Sequence, residues 1–95
     1  MSPEIRREVT LTKGRYVMDH GDGESELTYS ITSSTLVIAD HTDVAAGHSG
    51  EGIGLQLLQR FIADARTEGF KILPLCPFVN AQRRKHPEWA DVFAV

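Results

Sequence analysis

Cysteine is nearly absent from this chain: Cys76 is the only one, so no disulfide can form within it and no cysteine-rich metal site is available. The four histidines lack the tight spacing of zinc ligands, and we therefore expect no bound metal. No run approaches the ~20 apolar residues of a membrane span, and the first residues lack the apolar core of a secretory signal. These absences predict a cytoplasmic protein that does not insert into a membrane.

An excess of basic residues is also missing. The net charge is −3, with 10 Lys and Arg against 13 Asp and Glu. Because nucleic-acid-binding domains usually carry a basic face, we expect no nucleic acid partner. The remaining composition, 41% apolar and 24% charged over 95 residues, is typical of one small globular domain. We assign residues 1–95 to that single domain.

Hydrophobic periodicity divides the chain into two halves. A period of two, with turn signals such as "GDGES" between the runs, predicts strands at residues 4–12, 15–20, 26–32 and 35–40. A helical period then begins at Ile53 and ends at Gly69, since glycine often follows the last helical residue. A short strand at 70–75 and a helix at 78–86, stopped by Pro87, complete the order ββββαβα.

The lengths of the connections predict the topology. Short links predict antiparallel pairing of the first four strands, and the crossover helix predicts parallel pairing of strands four and five. The predicted fold is α+β with a mixed, mostly antiparallel sheet. Pro74 cannot donate a ladder hydrogen bond, so we expect strands four and five to splay apart at their carboxyl ends. His41 and Cys76 follow these two strands, and we expect both at the mouth of that wedge, where open sheets bind ligands.

Three glycines at alternate positions, Gly50, Gly52 and Gly54, precede the long helix. A helix N-terminus behind glycines is a natural phosphate site, because its free N–H groups and partial positive charge face the ligand. The same glycines also suit a tight turn with positive φ or a close helix contact, and both interpretations stay open. Leu55 and Gln56 replace the Lys-Ser/Thr of a P-loop, and the dinucleotide and hydrolase-elbow patterns fail as well.

Four segments resemble the Gcn5-related N-acetyltransferase superfamily, in particular a branch of very small single-domain members. They are "DHTDV" (40–44), "GEGIGLQLL" (50–58), "DARTEGFKILPLCPFV" (64–79) and "KHPEWADV" (85–92). The Gly52-Ile53-Gly54 triplet fits the end of the family's Arg/Gln-x-x-Gly-x-Gly/Ala loop. The resemblance implies a trimmed version of that fold, acetyl-coenzyme A as cosubstrate, and transfer of an acyl group to an amine of a small molecule or a protein.

The resemblance also implies where the cofactor binds. The pyrophosphate would lie on the loop and first helical turn, which comprise Ser49, Gly50, Glu51, Gly52, Ile53, Gly54 and Leu55. The backbone near Val44 would hold the pantetheine arm. Asn80 would hydrogen-bond that arm, or it would simply be the N-cap of the last helix, a position that asparagine favours.

Cys76 and His41 are the predicted catalytic residues. A helix N-terminus favours a thiolate, and the resemblance implies that Cys76 accepts the acyl group; the alternative is a small buried apolar residue. His41 would take a proton from an amine or from Cys76, because imidazole changes charge near neutral pH; the alternative is a polar residue that closes its strand.

Two departures from the family pattern favour a second hypothesis. Ser49 replaces the arginine or glutamine that opens the loop, and Gln82 stands where related proteins often have a tyrosine that protonates the leaving thiolate. The alternative function is therefore a coenzyme A or acyl-coenzyme A binding module without turnover. A pure protein-interaction module is a third hypothesis, and it requires an empty glycine loop.

Overall fold

The computed structural model describes residues 4–95 and confirms the predicted order of elements. The strands and helices are β1 (Ile5–Val9), β2 (Lys13–Asp19), β3 (Glu24–Ser33), β4 (Leu36–Asp43), α1 (Ile53–Glu68), β5 (Lys71–Pro74) and α2 (Pro77–Lys85). A 3-10 helix at Pro87–Val92 follows α2. Gly69 ends α1 as predicted, in a left-handed conformation with φ of 79° that glycine adopts at little cost.

The five strands form one sheet in the order β1-β2-β3-β4-β5. The first three pairings are antiparallel, and β4 pairs with β5 in parallel, as the sequence predicts. A single crossover through α1 joins the two parallel strands. The predicted α+β fold is therefore confirmed.

The hydrophobic core lies between one face of the sheet and the two helices. Its centre is aromatic: Phe61 of α1 packs against Tyr16 and Tyr29, with ring centroids 5.3 and 4.9 Å apart. All three rings are buried. The opposite face of the sheet, which we call the open face, carries a ladder of ion pairs in which Arg15 contacts Glu8 and Glu26. The face of the sheet that the helices cover is therefore apolar, and the open face is polar.

A β-bulge near the end of β4 decides which residues face the core. Tyr29 of β3 pairs with Ala39, but the preceding residue, Thr28, pairs with His41 and skips Asp40. The extra residue reverses the side-chain alternation, so His41 lies on the open face beside Thr28. The next residue, Thr42, returns to the helix-covered face.

The splay between β4 and β5 is present. Their pairing runs from Leu36 and Lys71 to Ala39 and Pro74, whereas β4 continues to Asp43. The Cys76 N–H then donates to the Ala39 carbonyl at 2.9 Å, which is the last backbone bond between these segments before α2 begins. The final residues of β4 therefore have no β5 partner in register, and a wedge opens there.

The last helix begins earlier than the sequence predicted. α2 starts at Pro77, and Cys76 occupies the N-cap position in an extended conformation. Proline is favoured at the first helical position because its missing N–H would have no intrahelical partner there. Asn80 therefore lies inside the helix, where its N–H donates to the Cys76 carbonyl, and the N-cap interpretation of Asn80 is wrong.

Candidate functional site

A groove of about 400 Å³ runs from the end of β4 to the start of α1. Its wall residues come from β4, the glycine loop, the first turn of α1 and one side of α2: Thr42, Val44, His48, Ser49, Gly50, Gly52, Ile53, Gly54, Leu55, Phe78 and Gln82. Seven of the nine predicted cofactor-binding residues belong to this set. Glu51 and Asn80 do not.

The glycine loop leaves the N-terminus of α1 bare. Gly50 and Gly52 have φ of 85° and 76°, a left-handed conformation that side chains disfavour. Gly52 is the N-cap of α1, and no side chain makes a capping hydrogen bond to this helix end. The first N–H groups of α1 and its positive dipole end are therefore presented at the groove.

The space around these glycines fits an anion held by backbone groups. A Cβ built on Gly50 or Gly52 would meet no atom within 4 Å, so the loop is open on that side. Gly54 differs, because its Cβ would stand 3.0 Å from the Phe78 ring. Positive φ thus accounts for Gly50 and Gly52, and close packing of α1 against α2 accounts for Gly54.

The thiol of Cys76 lies directly behind the groove wall. Cys76 is 2% exposed, and its Sγ is 3.5 Å from the Oγ1 of Thr42, which lines the groove. The N-cap position on α2 places the sulfur at the positive end of that helix.

His41 and Cys76 do not share the mouth of the wedge, so the expected pair is not formed. The bulge places His41 on the open face, where its Nδ1 lies 2.9 Å from Thr28 Oγ1 and its Nε2 lies 3.8 Å from Glu26 Oε1. More than half of the His41 side chain is exposed. It lines a separate cavity of about 430 Å³, which is shallow and bounded by the charged side chains of β2 and β4.

A histidine cluster beside the glycine loop is a feature that the sequence analysis did not predict. His48 stacks on His20, with ring centroids 3.9 Å apart. His48 Nε2 lies 3.0 Å from Asp22 Oδ1 and its Nδ1 lies 3.2 Å from Glu51 Oε1. These two carboxylates, Asp22 first, raise the pKa of His48 above its ordinary value, and His48 lowers the pKa of Asp22.

Ser25 connects this cluster to the loop. It is a fully buried polar residue whose Oγ accepts the Ala45 N–H at 2.9 Å and lies 2.8 Å from His20 Nε2. The turn between β2 and β3 also packs on the loop, because a Cβ at Gly23 would stand 3.4 Å from Ala45. The turn between β2 and β3 therefore packs against the segment that leads into the glycine loop and helps to hold it in place.

Asn80 and Gln82 occupy different positions on α2. The Asn80 Oδ1 accepts a hydrogen bond from Arg83 Nε at 2.8 Å, and Asn80 is not among the groove residues. Gln82 does line the groove. Within residues 4–95, no group of three or more His, Cys, Asp or Glu side chains could hold a metal ion. No helix in that range is both long and apolar enough to span a bilayer.

Comparisons with known proteins agree with this architecture. The family described as GCN5-related N-acetyl-transferase matches residues 15–92. The solution structure of a GCN5-like candidate N-acetyltransferase from Staphylococcus aureus is similar, with a TM-score of 0.69 and 26% sequence identity over 94% of this chain and 87% of that one. No curated protein sequence matches significantly. The family match covers most of the chain, including β4, the glycine loop and both helices, and the chain therefore belongs to the GCN5-related N-acetyltransferase family.

Proposed function

We propose that this protein transfers an acetyl group from acetyl-coenzyme A to an amine, and that it belongs to the small single-domain branch of its family. One observation carries the proposal: a single groove runs from the bare N-terminus of α1 to Thr42 at the splayed end of β4, and the buried Cys76 thiol lies 3.5 Å behind Thr42. Acetyl-coenzyme A matches this layout, because its pantetheine arm joins an anionic diphosphate to a reactive thioester.

The residues of the groove suit the parts of this cosubstrate. The diphosphate would be held by the backbone of the glycine loop and the first turn of α1, residues 49–55. The pantetheine arm would follow Thr42 and Val44 along the unpaired end of β4. Phe78 closes the opposite wall with apolar surface. Acetyl-coenzyme A supplies the activated acyl group, and the chain's own residues orient it and exclude water.

Two routes of transfer are open to this geometry. In the first, the Cys76 thiolate attacks the thioester carbon, the carbon–sulfur bond to coenzyme A breaks, and coenzyme A leaves as a thiolate that takes up a proton. The acceptor amine then attacks the acyl-cysteine, the carbon–sulfur bond to Cys76 breaks, and the Cys76 sulfur leaves as a thiolate while the amine nitrogen loses a proton. In the second, the amine attacks the thioester carbon directly, the carbon–sulfur bond to coenzyme A breaks, and coenzyme A leaves as a thiolate that takes up the proton lost by the amine. The proximity of Cys76 to the groove-lining Thr42 supports the first route.

His41 serves the acceptor in either route. Because it lies on the open face, away from Cys76, the proton it can take is that of an amine that approaches from this side. Its exposed imidazole and the neighbouring Glu26 carboxylate would attract a protonated amine and accept a proton from it.

The test is a calorimetric titration of the protein with acetyl-coenzyme A, followed by intact mass spectrometry of the same sample. We expect saturable binding, an added acetyl mass on Cys76, and loss of that mass when an amine panel of polyamines and lysine peptides is added. Cys76→Ala should bind equally well but carry no acetyl mass. Full turnover by Cys76→Ala would exclude the acyl-cysteine route. Binding without transfer to any amine would favour the non-catalytic module, and absence of binding would refute the proposal.

A further inference from the structure

The histidine cluster at the glycine loop is an ionisable group that the transfer chemistry leaves without a role. His48 is held between two carboxylates, and its own side chain is 21% exposed. Its partners are freer, because the Asp22 side chain is 71% exposed and that of Glu51 is 51% exposed. The cluster borders the part of the groove where the diphosphate would lie.

The groove is short of positive charge at this point. Ser49 stands where the family pattern places arginine or glutamine, and a serine hydroxyl carries no charge. A helix N-terminus contributes only a partial charge of roughly half a unit. Of the residues that line the groove, His48 is the one whose side chain can become a cation. A diphosphate bound here would therefore have His48 as its nearest source of full positive charge.

We propose that protonated His48 is the cation that binds the diphosphate of coenzyme A. In the absence of coenzyme A, Glu51 forms an ion pair with this imidazolium, and the phosphates replace Glu51 when they bind. The inference rests on the proposed function, which places coenzyme A in the groove. Glu51 lies between Gly50 and Gly52 in the loop and reaches His48 Nδ1. A carboxylate in that position has the charge and the acceptor oxygens of a phosphate, and its exposed side chain can turn into solvent when the phosphate arrives.

Asp22 has a different role, because it holds the other ring nitrogen from the β2–β3 turn. This contact keeps the ring charged while Glu51 leaves. The remaining titratable neighbour is His20, which stacks on the face of the His48 ring. Its Nε2 is directed to Ser25, whose hydroxyl can donate to it because the same oxygen accepts the Ala45 N–H. His20 thus supports the ring by stacking and does not compete for the carboxylates.

This arrangement predicts how the affinity for coenzyme A changes with pH. Deprotonation of His48 should lower the affinity as pH rises, whereas ionisation of the ligand's own phosphate should raise it. The 3′-phosphate of coenzyme A gains negative charge as pH rises through about 6, which by itself would strengthen binding to any positively charged group near it. Loss of the His48 proton would weaken binding over the same range and above it. We therefore expect the dissociation constant of wild-type protein to rise about tenfold between about pH 6 and about pH 9, the size of a charge-assisted hydrogen bond.

The test is calorimetric titration with coenzyme A across this range at constant ionic strength. His48→Gln should bind about tenfold more weakly than wild type at the low pH and should lack the loss at high pH. His48→Arg should bind tightly throughout, since arginine stays charged. Glu51→Gln should bind more tightly than wild type at low pH, because the competing carboxylate is gone. His86→Gln is the matched control: His86 is also paired with a carboxylate, Glu88, but lies outside the groove, and it should follow wild type.

A second measurement does not depend on variants that fold. The His48 imidazole is followed by NMR during a pH titration of wild-type protein with and without coenzyme A. Coenzyme A should raise the pKa of His48 further, because two phosphate charges replace one carboxylate. Either of two results would overturn this inference but leave the proposed function standing: an unchanged or lowered pKa of His48 on coenzyme A binding, or wild-type affinity of His48→Gln at low pH. Absence of coenzyme A binding by wild-type protein at every pH would overturn the proposed function and this inference with it.

Discussion

The two left-handed glycines that flank α1 provide a direct test of the groove. Gly52 is the N-cap, with φ of 76°, and Gly69 is the C-cap, with φ of 79°. Neither has an atom within 4 Å of the place where a Cβ would stand. The two positions are therefore matched in backbone strain and in local space, but only Gly52 lines the groove. They lie about 25 Å apart along the 16-residue helix.

Substitution by alanine should cost both sites a similar free energy of unfolding. A non-glycine residue in the left-handed region costs about 1–2 kcal/mol. At the lower value the melting temperature of a domain of this size falls by about 4–8 °C. We expect Gly52→Ala and Gly69→Ala to show this same loss in differential scanning fluorimetry without ligand.

The ligand should separate the two variants. At a coenzyme A concentration about 100 times the dissociation constant, binding stabilises the folded state by about 2.7 kcal/mol. Gly69→Ala should keep this stabilisation in full. In Gly52→Ala the added methyl group or the relaxed loop weakens backbone contacts to the phosphates; a tenfold loss of affinity would remove about 1.4 kcal/mol, or half of it. Equal ligand-induced shifts in the two variants would refute the placement of the diphosphate on this loop.

Three further outcomes can be measured on the same protein. Gly14→Ala should lower the free energy of unfolding by about 3 kcal/mol in a urea titration, because its Cβ would stand 2.1 Å from the buried ring of Tyr29; an unchanged midpoint would contradict the packing described. Phe78→Ala should weaken acetyl-coenzyme A binding severalfold, whereas Leu75→Ala, which removes a side chain that is 64% exposed and lies outside the groove, should not. His48 has a raised pKa in the folded state, so its stabilising contribution is complete below its unfolded pKa and is lost as pH rises through the folded one; urea midpoints of wild type and His48→Gln should therefore converge at high pH.

The elements of the fold could be predicted because their signals are local. The helical period from Ile53 and the glycine at 69 lie within one continuous segment, and the structure begins and ends α1 at the predicted places. Pro74 marks the splay for the same reason, since a missing N–H is a property of one residue. The start of α2 is also a local signal: the helix begins at Pro77, one residue before the predicted Phe78, because proline is favourable at the first helical position.

The placement of His41 could not be predicted from periodicity. The bulge at Asp40 depends on how β4 pairs with β3, two segments whose register is set by turn geometry and core packing. One extra residue is enough to move His41 from the wedge to the open face. The carboxyl ends of β4 and β5 do lie at the same edge of the sheet, as expected, but the side chain in contact with Cys76 there is that of Thr42.

The contacts that hold the glycine loop against the β2–β3 turn could not be predicted for a similar reason. His48 and Asp22 are 26 residues apart, and nothing in either segment indicates the other. The contact exists because buried Ser25 binds Ala45 and brings the loop after β4 onto the β2–β3 turn. The segment of Asp22 and the segment of His48 and Glu51 each have the composition of a solvated loop. They form a charged cluster only when the chain folds.

Finally, the C-terminal segment after the 3-10 helix limits how this sheet can grow. Phe93 bridges Ile72 in parallel, and the Ala94 N–H donates to the Ile72 carbonyl at 2.9 Å, so the outer edge of β5 is already partly occupied. The other edge, β1, carries charged side chains, a common protection against strand addition. Edge-to-edge polymerisation is therefore disfavoured at both ends of the sheet.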